Sequence, residues 1–252
     1  MRTPILLTCI ALLGVVAAQA GTLYTIRTGD DMLRAIDTKT LQFTDIGPIG
    51  VPFDFGGLGW DSKNQKMYMV QGFAGTNLYT VNLNTGATAP VGNHTFRDMF
   101  GLAFDPTTDK LYSGRSTTGK GFYWLDRATA QATFIGDPGV NLDGLAYDSK
   151  RDMVVGADAG PGDLYKIDRT NGSRTLLFDG PFFNNGGLAY DSEADLFWMI
   201  DWSGDLYSFD PNAGYARKQV LGGLGAYDGL EFIPEPGTLA LLALGLSLLR
   251  RR

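Results

Sequence analysis

A pentapeptide recurs at a fixed interval in this chain, and that interval restricts the fold more than any other feature. Gly57-Leu58-Gly59-Trp60-Asp61, Gly101-Leu102-Ala103-Phe104-Asp105, Gly144-Leu145-Ala146-Tyr147-Asp148, Gly187-Leu188-Ala189-Tyr190-Asp191 and a truncated Gly229-Leu230-Glu231-Phe232 begin 44, 43, 43 and 42 residues apart. A period of this size marks an array of supersecondary units, each covering the apolar face of the next.

Each repeat carries four strand-like pieces. The first is the pentapeptide itself, with Leu and an aromatic alternating with small residues at period two. Its Asp begins a turn, because a short carboxylate bonds the backbone just ahead of it. The second piece is seen in Lys66-Met67-Tyr68-Met69 and Leu196-Phe197-Trp198-Met199, the third in Leu78-Tyr79-Thr80-Val81 and Leu206-Tyr207-Ser208-Phe209. Turns such as Asn84-Thr85-Gly86 and Thr170-Asn171-Gly172 lead to the fourth, which runs out near Gly92, Gly136, Gly180 and Gly222.

The two ends of the array complement each other. Leu23 to Ile26, Leu33 to Asp37 and Leu41 to Gly47 match pieces two, three and four, and the missing first piece is Gly229 to Phe232 at the far end. Splitting one repeat between the termini has a purpose only if the array closes on itself, since the last strand then fastens the ring and removes an open edge. The sequence therefore predicts an all-β domain over residues 21–233: a single β-propeller of five four-stranded blades, closed by the C-terminal strand joining the N-terminal blade. Leu230 and Phe232 should be buried. Glu231 replaces the Gly or Ala of the other repeats and needs a partner. Trp60, Trp124 and Trp198 should fill contacts between blades.

Composition excludes several classes of function. Cys9 is the one cysteine and His94 the one histidine, which rules out a cysteine or histidine zinc centre, and a Ser-His-Asp triad would have only His94, alone in a turn with no periodic partner, as its base. His94 stands in a turn and reads as solvated. The formal charge of −6, with no basic run inside the repeats, excludes a nucleic-acid footprint. Asn93-His94-Thr95 and Asn171-Gly172-Ser173 match the glycosylation sequon by chance.

Both termini read as processing signals. Arg2, an apolar run from Ile5 to Ala17 and the A-x-A site Ala18-Gln19-Ala20 make residues 1–20 a signal peptide, to be removed by signal peptidase. Residues 234–252 contain Pro234-Glu235-Pro236, an uncharged segment from Thr238 to Leu249 and three arginines. A helix of that segment would reach only ~18 Å across a ~30 Å hydrocarbon core. Short apolar helices are expected at both ends. The tail resembles the PEP-CTERM sorting signal of bacterial surface and secreted proteins. That resemblance implies recognition by an exosortase and cleavage near Pro234, Glu235 and Pro236. It also implies transient contact with the inner membrane, and final placement at the cell surface or outside the cell, often beside exopolysaccharide.

Carboxylates are the remaining chemical stock. Counting back three residues from each repeat's first glycine gives Asp54, Asp98, Asn141, Asn184 and Ala226; counting back one gives Gly56, Phe100, Asp143, Gly186 and Asp228. Segments entering the innermost strands lie at one mouth of a propeller's channel. Asp54, Asp98, Asn141, Asp143, Asn184 and Asp228 are therefore the candidate ligand-binding residues, with oxygen chemistry suited to sugar hydroxyls or calcium. No other cofactor is expected. The alternative is that these residues only shape turns. Two functions are open: a binding or scaffold module of the extracellular matrix or exopolysaccharide that contacts polysaccharide or another surface protein, and a propeller hydrolase acting on glycans or esters with carboxylates at the channel mouth. Regular repeats and short loops favour the first.

Overall fold

The computed structural model describes residues 21–116, 119–181 and 184–235, with Asn185 described by its backbone alone. Ala18, Ala20, Pro236 and both expected terminal helices lie outside the described residues.

Among those residues the chain forms twenty strands and one 3-10 turn, Pro211–Ala213. In chain order, β1 (Thr22–Arg27), β2 (Met32–Asp37) and β3 (Phe43–Pro48) make three quarters of the first blade. The second blade is β4 (Gly57–Asp61), β5 (Lys66–Val70), β6 (Asn77–Val81) and β7 (Thr88–Asn93). The third is β8 (Met99–Asp105), β9 (Lys110–Arg115), β10 (Gly121–Leu125) and β11 (Ala132–Gly136). The fourth is β12 (Leu142–Asp148), β13 (Met153–Asp158), β14 (Leu164–Ile167) and β15 (Arg174–Phe178). The fifth is β16 (Asn185–Asp191), β17 (Leu196–Asp201), β18 (Leu206–Asp210) and β19 (Ala216–Leu221). Finally β20 (Tyr227–Ile233) returns to pair antiparallel with β1, matching Leu23 with Phe232 and Thr25 with Leu230.

The pentapeptide strands β4, β8, β12, β16 and β20 each pack against the next, and β20 against β4 completes the ring. They approach so closely that a Cβ on Gly57 would lie 2.8 Å from the Leu102 nitrogen, and one on Gly101 2.5 Å from that of Leu145. Only glycine tolerates this approach. The five Gly-Leu pairs close the channel at this level, leaving no room for a water molecule. The molecule therefore has two separate mouths. The upper is where the inner strands begin, the lower where they end.

Buried side chains fall into five clusters, one per blade junction. Tyr68, Val70 and Leu78 meet Leu102, Phe104 and Leu111 between the second and third blades. Trp60 packs at the first junction, Trp124 between the third and fourth blades, and Trp198 where the fifth meets the first. Leu230 and Phe232 are 1% and 3% exposed. The partner of Glu231 is backbone: its Oε2 accepts from Trp60 N–H across the junction at 3.1 Å and its Oε1 from Phe232 N–H at 3.0 Å.

The Asp that ends each complete pentapeptide does more than shape a turn. Asp61, Asp105, Asp148 and Asp191 each accept the backbone N–H groups two and three residues on. Two of them also bind the next blade, Asp61 through Arg127 and Asp105 through Arg169. One expectation is corrected. His94 is not solvated but 2% exposed, with neither ring nitrogen hydrogen-bonded among the described residues. Its backbone N–H donates to Thr76 O at 2.8 Å, and burial of the ring lowers its pKa to about 4.

Candidate functional site

The upper mouth separates the six candidate residues into two groups. The positions three before each glycine serve the backbone. The carbonyls of Asp54, Asp98, Asn141, Asn184 and Ala226 accept N–H groups from Phe73, Ser116, Ala159, Trp202 and Thr28 respectively, at 2.8–3.0 Å. Each of these bonds ties the segment entering an inner strand to the hairpin after the second strand of the same blade. Five-fold repetition of one bond is turn architecture. The Asp98 side chain is spent in an ion pair with Arg115 at 2.6 Å, and Arg115 in turn lies over the Phe96 ring. Asn141 N–H donates to Asp158 Oδ1, and Asn184 is exposed.

The positions one before the glycine face the mouth. Asp228 on β20 is 1% exposed and accepts Phe55 N–H at 2.8 Å. Burial pushes its carboxyl well above the usual range. The Phe55 bond opposes that, while Asp143 and Asp54 raise it further. Asp143 on β12 has a buried Oδ1 with no hydrogen-bond partner, and burial lifts its pKa to about 7. Burial also raises Asp54. Asp228 therefore senses both Asp143 and Asp54, whereas Asp98 is neutralised by Arg115. Asp143 stands near its midpoint at neutral pH, and burial favours the protonated form of Asp228, so the mouth offers an O–H donor as well as acceptors. The calcium expectation finds no support here: among the described residues no three His, Cys, Asp or Glu side chains are placed to hold a metal ion.

An aromatic deck over this mouth is absent from the sequence-based site. Trp202 stacks on Phe55 at 4.9 Å with 24° between planes. Phe73 packs edge-on to both Phe55 and Phe100, at 5.8 and 4.9 Å. Phe55 holds its place with φ of 54°, unusual for a bulky residue. Trp202 and Phe73 are each 39% exposed, the other faces of these rings being open to solvent. Their signal in the sequence was positional: both are the residue whose N–H ties the hairpin to the entering segment, where the other blades carry Thr28, Ser116 and Ala159.

The closed ring of five blades defines a five-bladed β-propeller. Among solved structures the chain is similar to a chain of a nidogen/laminin complex, with a TM-score of 0.60 and 16% identity over 84% of this chain and 81% of that one. It is also similar to a structural genomics protein of unknown function from Bacteroides thetaiotaomicron, with a TM-score of 0.59 and 19% identity. That match covers 88% of this chain and 60% of the other. At these identities the likeness is one of fold. No family model and no curated protein matches the sequence.

Proposed function

We propose that this protein is an exported propeller that binds polysaccharide at the upper mouth, as a scaffold module of the surface or extracellular matrix. The observation that carries the reading is the aromatic deck above Asp143 and Asp228. Exposed ring faces cover the apolar face of a sugar, while the partly buried Asp143 carboxyl beneath accepts from and donates to its hydroxyls. The likeness to a chain in a nidogen/laminin complex favours a second reading, another surface protein on the same mouth. The raised acids Asp143 and Asp228 keep a glycan hydrolase as the enzymatic alternative. Export by signal peptidase cleavage at Ala18-Gln19-Ala20, and sorting by an exosortase at Pro234-Glu235-Pro236, complete the proposal and rest on the terminal sequences.

The test is a glycan-array screen followed by calorimetry on the best binder, with Trp202→Ala and Phe73→Ala beside the wild type. Each loss should weaken binding about tenfold, ~1–1.5 kcal/mol per ring contact. Melting temperature should stay unchanged, because both rings are partly exposed. Undiminished glycan affinity in both variants would remove the deck from the binding site, and release of shortened sugars during the titration would favour the hydrolase.

A further inference from the structure

The lower mouth is a separate cavity. It offers about 180 Å³ and is lined by the pentapeptide aromatics, by Ser62, Ser149 and Ser192 at the rim, and by Glu231 as its one acidic side chain. Among the described residues no Lys, Arg or His lines it. Its floor has a regular feature. In an antiparallel pair, alternate N–H groups of a strand point toward the partner and away from it. The N–H groups of Trp60 and Phe232 point away from β5 and β1, because both donate to Glu231. Phe104, Tyr147 and Tyr190 occupy the same register against Leu111, Val154 and Phe197 as Trp60 does against Met67. The three hairpins that follow share the left-handed residue of the β4–β5 hairpin, at Asp109, Asp152, Asp195 and Gln65. Their N–H groups therefore also point inward. Among the described residues no side chain takes them up.

The Glu231 carboxyl already displays what this ring holds, since it spans two of the five donors. We propose that the lower mouth binds the carboxylate of a small organic acid, held by the N–H groups of Phe104, Tyr147 and Tyr190 and by the Glu231 carboxyl. Converging backbone donors in a site closed to water on one side are a strong oxyanion trap. They repel a cation, which excludes an amine despite the aromatic rim. Two carboxyl groups can share the floor only if a proton lies between them. Burial supplies that condition by raising the Glu231 pKa to about 8, against the pull of its two N–H donors. Tyr24 stands opposite Glu231 on β1, and Asp61 and Asp191 end the flanking strands β4 and β16. Asp61 is neutralised by Arg127, and Asp191 is held by its turn and by Trp198 Nε1.

Sodium acetate titrated into the protein and followed by amide NMR tests this, with sodium chloride as the control. At pH 6.5 the Phe104, Tyr147 and Tyr190 amides should shift saturably with acetate and not with chloride. At pH 9.5 the affinity should fall by about tenfold or more, as Glu231 ionises. Glu231→Ala copies the Ala103, Ala146 and Ala189 of the other blades, so it keeps the fold. It exchanges the Glu231 carboxyl for two freed donors, so saturable acetate shifts should persist with the pH dependence gone. Absence of saturable shifts at these three amides in both proteins would overturn the proposal. So would equal wild-type affinity at the two pH values.

Discussion

At the scale of single residues, the carboxyl groups of the upper mouth are where folding and function oppose each other. Asp143 keeps a buried, unpartnered oxygen, and its pKa is lifted to about 7 by burial. The folded state therefore holds a proton that the unfolded chain releases near pH 4. Stability linked to this group is complete below that pH and declines as pH rises through about 7, beyond which the loss is constant. The Asp143→Asn substitution keeps the shape and removes the charge. It should leave stability unchanged at pH 4 and raise it at pH 8, by ~2–4 kcal/mol on the scale of three pH units. Melting curves of both proteins from pH 4 to 8 measure the gap. Parallel curves would mean that Asp143 is solvated in solution. A group retained at such a cost is a functional candidate in its own right. His94 shows the limit of reading residues singly: a histidine among Gly, Asn and Thr looks solvated until its turn is seen folded against the junction.

At the scale of elements, β20 is the strand on which the ring depends. It supplies the innermost strand of the first blade, and it carries Leu230 and Phe232 into the core between the fifth and first blades. Removing residues 229–233 forfeits that burial, ~5–10 kcal/mol by the usual cost of deleting a large buried side chain at two positions. It also leaves β1 as an unpaired edge beside the channel. Calorimetry of the truncated chain should show a melting temperature lower by well over ten degrees and concentration-dependent aggregation. A truncated chain that melts like the full one would contradict closure through this strand. The junction is held by polar contacts as well. Glu231 caps two inner-strand N–H groups, and Arg127 and Arg169 bind the buried Asp61 and Asp105 of the preceding blades. Breaking such buried pairs is costly because the remaining charge has no water to turn to.

At the scale of the whole molecule, the closed channel makes the two faces chemically independent. The upper mouth has aromatic faces and partly protonated acids; the lower has inward backbone donors and one glutamic acid. The proposed processing concerns the molecule as a whole too. Intact mass of the protein recovered from its native host should correspond to a start at Gly21 and an end near Pro234-Glu235-Pro236. A recovered mass that includes Thr238 to Arg252 would count against the sorting tail.

The sequence alone determined the architecture, because a propeller is written in short-range pattern. The glycine period, the Leu and aromatic alternation and the complementary termini report contacts that recur in every blade. Each repeat therefore testifies to the same local geometry, and even the burial of Leu230 and Phe232 could be read from their equivalents. The sites were legible only in part. Counting back one residue from the glycines marked Asp143 and Asp228, and counting back three marked Asp54, Asp98, Asn141 and Asn184. Their different roles depend on an arginine on a neighbouring strand or on a backbone bond. The deck of Trp202, Phe55, Phe73 and Phe100 draws on three blades, and the donors of the lower mouth are backbone groups that no residue name reveals. Such sites break the repeat or lie between its copies. Only closure of the ring, which brings distant blades to within a few ångströms around one axis, decided what those residues face.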